Sequence, residues 1–204
     1  MSFELLDNLG QVALLGGASV AAGALALRDR DRRCFILALA YACFAMGTLF
    51  YVLYLAIFGR VPQVFYVSEL SWLASYLFYL SLEILRAERQ RVRFAGLPAL
   101  GAAALAAASL RVRIFGPSWL MAGLFALTAG AIVYLALYRL RQGPGPRAVD
   151  AVLLCCVVLQ VALYAVSDFT RDYTRFNAYF AVDLLLTAAF LALLPLSRRE
   201  VRGI

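Results

Sequence analysis

The sequence predicts an all-α fold, a polytopic membrane protein of seven transmembrane helices, and three observations lead there. The 204 residues are 64% hydrophobic and only 15% charged, whereas a soluble domain is about half apolar and about a quarter charged. Long uncharged runs recur along the whole chain, and a run of roughly twenty apolar residues crosses a hydrocarbon core of about 30 Å as a helix. The basic residues gather in alternate loops, as orientation in a membrane demands.

The first apolar run covers residues 9–27 and stops at Arg28-Asp29-Arg30-Asp31-Arg32-Arg33, charges too costly to leave in lipid. A second, over 34–58, ends at Gly59-Arg60-Val61-Pro62, and a third, over 64–85, is closed by the arginines between Arg86 and Arg93. The fourth is short and alanine-rich, 97–110, with Arg111 and Arg113 beyond it; the fifth runs over 119–138. The following turn, Gln142-Gly143-Pro144-Gly145-Pro146, cannot be helical. Residues 149–166 and 178–196 form the sixth and seventh helices, separated by 168–177.

The loops after helices one, three, five and seven hold Arg28, Arg30, Arg32, Arg33, Arg86, Arg89, Arg91, Arg93, Arg139, Arg141, Arg147, Arg198, Arg199 and Arg202. Those after two, four and six hold Arg60, Arg111, Arg113, Arg171 and Arg175. The richer set belongs in the cytoplasm, which puts the N-terminus outside and the C-terminus inside. The N-terminal flank agrees, with Glu4 and Asp7 and no arginine; lacking a basic n-region, it does not read as a cleaved signal peptide.

Helices one to three overlie helices five to seven at an offset near 113 residues: Cys43 falls on Cys156, Tyr51 on Tyr164, and Glu69 on Asp183 with one residue inserted. The implied plan is a 3+1+3 parallel repeat, with 1–93 as the first triplet, 94–116 as the linker helix and 117–204 as the second triplet.

Absences narrow the chemistry. All 19 basic residues are arginine, and histidine is missing as well. Lysine Schiff bases to retinal or pyridoxal phosphate are therefore excluded, as are imidazole ligands to haem or zinc. Gly-rich phosphate loops and nucleophile motifs do not occur; no cofactor or metal is expected, and the chain does not read as an enzyme. The net charge of +7 is spread over short loops rather than one basic face, so membrane orientation explains it and nucleic acid is not an expected partner. Cys34, Cys43, Cys155 and Cys156 lie in or beside the apolar runs without a CxxC pair and read as packing residues.

Ionisable residues inside spanning helices cost about 2.5–3.5 kcal/mol each on insertion scales, so they face a cavity or a partner. Glu69, Trp72, Tyr76, Tyr79 and Glu83 are spaced three, four, three and four apart, which places them on one stripe of helix three. Tyr179, Asp183 and Thr187 repeat along helix seven, Gln160, Tyr164 and Ser167 along helix six, and Tyr41, Thr48 and Tyr51 lie on helix two. Glu69 and Asp183 fall one to two turns below the outer surface. The expected ligand-binding residues are Glu69, Trp72, Tyr76, Gln160, Tyr164 and Asp183, around an outward-facing intramembrane cavity. Interhelical hydrogen bonding among the same groups is the competing use, with Tyr and Trp near helix ends as an interfacial belt.

The segment Glu69-Leu70-Ser71-Trp72-Leu73-Ala74-Ser75-Tyr76 resembles the acid-x-x-aromatic-Leu-x-x-Tyr pattern on the third helix of the seven-transmembrane sensor modules that precede bacterial diguanylate cyclase and histidine kinase domains. Those modules carry an acid early in their last helix, matched here by Asp183, although Leu186 stands where an aromatic is usual. The resemblance implies a sensor-like module in a bacterial cytoplasmic (inner) membrane. No output domain follows the seventh helix in these 204 residues, so a sensor's signal is expected to pass through a signalling protein partner, or the chain to be one part of a longer system. The helix plan also resembles sugar and vitamin transporters built as three plus one plus three; Pro62-Gln63 is similar to a signature of one such family but has no counterpart in the second triplet. The sequence thus predicts a receptor-like membrane protein that binds a small polar or cationic ligand, the rivals being a small-solute transporter and a structural subunit of a larger membrane complex.

Overall fold

The computed structural model describes residues 3–60, 66–87, 93–112, 118–142 and 147–202, and these are all-helical apart from short connections. Seven helices follow in order: α1 (Phe3–Asp29), α2 (Arg32–Phe58), α3 (Tyr66–Ala87), α4 (Gly96–Arg111), α5 (Trp119–Gln142), α6 (Ala148–Ser167) and α7 (Ala178–Arg202). Pro62 and Gln63, Arg89, Arg91 and Arg113, and the Gly143–Pro146 turn lie outside the described residues.

Five of these helices, α1, α2, α5, α6 and α7, are long and apolar enough to cross a membrane, the make-up of a multi-pass membrane protein. The other two fall short for different reasons. Helix α3 carries Glu69, Glu83 and Arg86 within its 22 residues. Helix α4 is apolar but has only 16 residues, about 24 Å of rise against a hydrocarbon core of about 30 Å.

Around the bundle, α1 packs on α2, α2 on α3, α3 on α5, α5 on α6, α6 on α7, and α7 back on α1, while α4 lies against α5. The core within this ring is built from Leu15, Leu37, Tyr41, Phe44, Tyr76, Phe125, Ile132, Leu153 and Phe190 among others. Large apolar side chains such as Val20, Ile57, Leu120 and Leu127 point outward, an inside-and-outside hydrophobicity that suits lipid rather than water.

Local chemistry sets the helix ends. Asp31 caps α2 by accepting a hydrogen bond from the Arg33 amide at 2.9 Å, and Gly59 ends it in the left-handed region, φ 63°, with its N–H on the Leu55 carbonyl. Helix α1 begins six residues before the apolar run, because Phe3 packs on Phe176 and Phe180 and its backbone joins the 168–177 loop, Phe3 N–H to Thr174 O and Glu4 N–H to Tyr173 O. Glu4 and Asp7 are therefore helical rather than parts of a flank. At the other end of the bundle α5 continues through Arg139 and α7 through Arg198 and Glu200, so charges that hydropathy assigns to loops belong to helices.

In the C-terminal third of α7, Pro195 lacks the N–H that would bond the Leu191 carbonyl. One residue earlier on the ladder, the Tyr41 hydroxyl from α2 donates to the Phe190 carbonyl at 2.7 Å, tying α7 to its neighbour where its own hydrogen bonding is interrupted.

Candidate functional site: a polar network where α1, α3 and α7 begin

Two polar clusters lie at opposite ends of the bundle, and they are built differently. The first gathers the starts of α1, α3 and α7 with the ends of α2 and α6. Gln11 of α1 is its hub: the side-chain amide donates to Asp183 Oδ1 at 3.2 Å and to Thr187 Oγ1 at 2.9 Å, and its carbonyl accepts from Thr48 Oγ1 at 2.9 Å. Thr48 in turn accepts from Trp72 Nε1 at 3.3 Å. Four helices are joined by this chain of bonds.

A second strand of the network is deeper. Tyr76 Oη donates to Gln160 Oε1 at 3.0 Å and lies 3.5 Å from the Cys156 carbonyl. Its ring packs edge-on against Phe125, centroids 5.0 Å apart, and Tyr79 one turn on stacks with Phe190 at 5.2 Å. The whole Glu69-to-Glu83 stripe thus turns inward, as its spacing predicts. Tyr164 sits within electrostatic reach of both Glu69 and Asp183, which brings the two acids to one region of the interior.

Of the six sequence-predicted residues, Trp72, Tyr76, Gln160 and Asp183 each hold a neighbouring helix through a hydrogen bond, a use that interhelical cohesion explains on its own. Glu69 differs. It is 7% exposed, its Oε2 is buried with no hydrogen-bond partner, and no arginine among the described residues pairs with it. A buried carboxylate oxygen without a donor costs free energy.

Sequence reasoning missed Gln11 and Asp7. Asp7 faces Asp183 from α1, yet both lie where composition suggests a solvated flank and a bland first turn. A usable signal exists in hindsight: Asp7 and Gln11 are four residues apart on a helix whose other polar positions are sparse. Replacing Gln11 with leucine is expected to destabilise the bundle by about 1–2 kcal/mol, because Thr48 and Asp183 lose their shared partner; a denaturant titration in detergent micelles measures it.

Above this network the 168–177 loop is itself ordered by local bonds. Asn177 caps α7 by accepting from the Tyr179 and Phe180 amides, and its side-chain amide donates to the Asp172 carbonyl. The Thr174 hydroxyl and amide both donate to Asp172 Oδ1, holding that exposed carboxyl below its ordinary range. Tyr173 lies against Tyr179 and Phe180, so the loop covers the start of α7 and, through its backbone bonds, the start of α1.

The opposite cluster is a set of ion pairs, in which Glu83 Oε2 and Arg33 Nη1 are buried without a hydrogen-bond partner. Arg86 of α3 is bidentate to Asp150 of α6, at 2.8 and 3.2 Å, reaches Glu200 of α7 at 2.9 Å, and pairs with Glu83 one turn back. Arg139 of α5 adds a bond to Asp150 Oδ1 at 2.9 Å and one to the Arg86 carbonyl at 2.6 Å, while Arg33 of α2 approaches Glu200 at 3.6 Å. Five helices meet in it, and Glu83, Arg86 and Asp150 are buried. Each acid is matched by at least one guanidinium, the condition under which buried charge is tolerated. Among the described residues no group of three metal-ligating side chains gathers at either end. No family model, no curated protein and no solved structure matches the chain, which leaves these two clusters as the guide to its function.

Proposed function

We propose that the protein is a receptor-like, seven-pass module of a bacterial inner membrane, with the N-terminus outside, that binds a small polar or cationic ligand in the region of the Gln11–Asp183 network and Glu69. The observation that carries this is Glu69 itself: Glu83 at the arginine-rich end also has a buried Oε2 without a hydrogen-bond partner but is ion-paired with Arg86, whereas Glu69 has a buried, unpartnered Oε2 and no cation partner among the described residues. A site that leaves an acceptor unmatched is one a ligand can complete.

Helix neighbours support the 3+1+3 plan. Exchanging α1 with α5, α2 with α6 and α3 with α7 turns the α3–α5 contact into the α7–α1 contact, and both occur. That arrangement also favours the rival reading, a small-solute transporter in which two triplets rock about the shared site; α7, interrupted at Pro195 between the two clusters, is the element on which such a motion would turn.

A thermal-shift screen of small polar solutes on the purified protein in neutral detergent tests the binding reading. A true ligand at a hundred times its Kd adds about 2.7 kcal/mol of stability, and the shift is expected to disappear in Glu69→Gln with Asp183→Asn. If every stabilising solute acts equally on the double variant, the network is not the site. Flux of the hit into proteoliposomes then separates receptor from transporter, since acid-dependent uptake belongs only to the latter.

A further inference from the structure

We propose that the part of α7 beyond Pro195 is an ionic latch, a strap that docks on α1, α2, α3 and α5 through charge and releases about Pro195 as a hinge, whether or not the other end of the bundle binds a ligand. The first ground is what fastens it. Up to Pro195, α7 is held by burial, with Phe190 and Leu193 fully buried. From residue 196 to Glu200 the sequence offers one apolar side chain, Leu196, beside Ser197, Arg198 and Arg199. The fastenings there are ionic: Glu200 meets Arg86 of α3 at 2.9 Å, Arg139 of α5 at 3.5 Å and Arg33 of α2 at 3.6 Å, and Arg198 meets Asp29 of α1 at 3.1 Å. Few buried apolar contacts mark the parts of a fold that open most readily.

The second ground is what release leaves behind. Without Glu200, Arg86 keeps Glu83 and Asp150, and Arg139 keeps Asp150, two cations and two acids that stay matched inside the bundle. The groups that lose partners are already part-exposed: the side chains of Arg33, Arg198 and Asp29 are all at least 27% exposed. Release therefore strands no buried charge, the penalty that makes breaking a buried pair costly. Docking carries a cost of its own, since Ser197 Oγ and Arg33 Nη1 are then buried without a hydrogen-bond partner.

The third ground is the joint. Pro195 leaves the Leu191 carbonyl without its helical donor, so the backbone ladder is weakest where the buried part of α7 gives way to the ionic part. Just before it, the Tyr41 hydroxyl pins the Phe190 carbonyl. That bond fixes the helix on the near side of the proline and leaves the far side to its ion pairs. Pro195 is itself exposed, so no packing around its ring opposes the movement.

Ser197 provides the readout, because it is 1% exposed when docked and Ser197→Cys puts a thiol of nearly the same size in its place. That variant is labelled with N-ethylmaleimide in neutral detergent, the rate at each site is read from peptide masses, and native Cys156, fully buried in the core, is the reference. The Ser197→Cys thiol is expected to label at least tenfold faster than Cys156. Glu200→Gln in the same background is expected to raise that rate at least fivefold further with Cys156 unchanged, and Pro195→Ala, which restores the missing N–H, to lower it at least threefold. Labelling no faster than Cys156, or unmoved by Glu200→Gln, overturns the latch and makes the segment a fixed part of the bundle. A rate that Pro195→Ala leaves unchanged overturns it in favour of simple fraying of the helix end, and Cys156 accelerating in step overturns it in favour of opening of the whole bundle. Where Glu200→Gln does not fold, Asp29→Asn removes the part-exposed partner of Arg198 instead; it is expected to speed labelling at least twofold, and no change there overturns the proposal equally.

Discussion

Arg86→Met is expected to be among the most destabilising single substitutions in the protein, costing about 3–5 kcal/mol, the range for removing one partner of a buried ion pair. The reason is what stays behind. Arg86 serves Glu83, Asp150 and Glu200 together, and with it gone Asp150 keeps only Arg139, Glu200 keeps longer contacts to Arg139 and Arg33, and Glu83 keeps none of its present ion pairs. Glu83 is 0% exposed and cannot turn to water without pulling α3 out of the bundle. Arg86→Lys is expected to recover part of the loss and not all, since an ammonium cannot reproduce the bidentate contact to Asp150 while also reaching Glu200.

A denaturant titration in detergent micelles, run with Arg28→Ala as the control, checks this. Arg28 is exposed and sits 3.8 Å from Asp29, a pair of the kind that contributes little. An Arg86→Met midpoint that moves no further than the Arg28→Ala midpoint would show that the cluster is solvated and would remove its structural role. An apolar replacement of Arg33, Glu83, Arg86, Arg139, Asp150 and Glu200 together is expected to be far milder than Arg86→Met alone, because no charge of the cluster is then left without its partner.

How much of this was legible beforehand differs between the two ends. All seven helices follow from apolar runs closed by arginine or Gly-Pro breaks, and the inward stripe of α3 follows from the three-and-four spacing of Glu69, Trp72, Tyr76, Tyr79 and Glu83. Hydropathy fails at the margins for a physical reason. A charge near a helix end counts as loop on an insertion scale, yet Arg139 and Glu200, neutralised across helices, remain helical, Arg139 buried and Glu200 partly so. Nothing local to Asp150 names Arg86, 64 residues away, as its partner. Gln11 was equally silent: one amide in an alanine- and glycine-rich helix becomes a hub only when α2 and α7 supply Thr48, Asp183 and Thr187.

Small residues carry a second lesson, because composition alone makes all helical glycines look like packing positions and the structure separates them. At Gly47 an added Cβ would come within 2.9 Å of Trp72 Cδ1 and Nε1 and 3.0 Å of the Ser68 carbonyl, and the Ser68 hydroxyl already donates to the Gly47 carbonyl at 2.8 Å. One of those obstacles is backbone, so α2 and α3 must separate to admit even a methyl group. Gly47→Ala is expected to cost about 1–3 kcal/mol as overpacking, and Gly47→Leu more. At Gly17 nothing lies within 4 Å of the added Cβ, and Gly17→Ala is expected to stabilise by about 0.5–1 kcal/mol through helix propensity. Opposite signs at two glycines of adjacent helices are the diagnostic result; a neutral Gly47→Ala would mean that α2 and α3 are not in the close contact described. The consequence reaches the site, because the side chain that must yield at Gly47 is Trp72, and Trp72 holds Thr48, which holds Gln11. Gly47→Ala is therefore also expected to weaken ligand binding at the network, although Gly47 itself contributes no polar side chain to it.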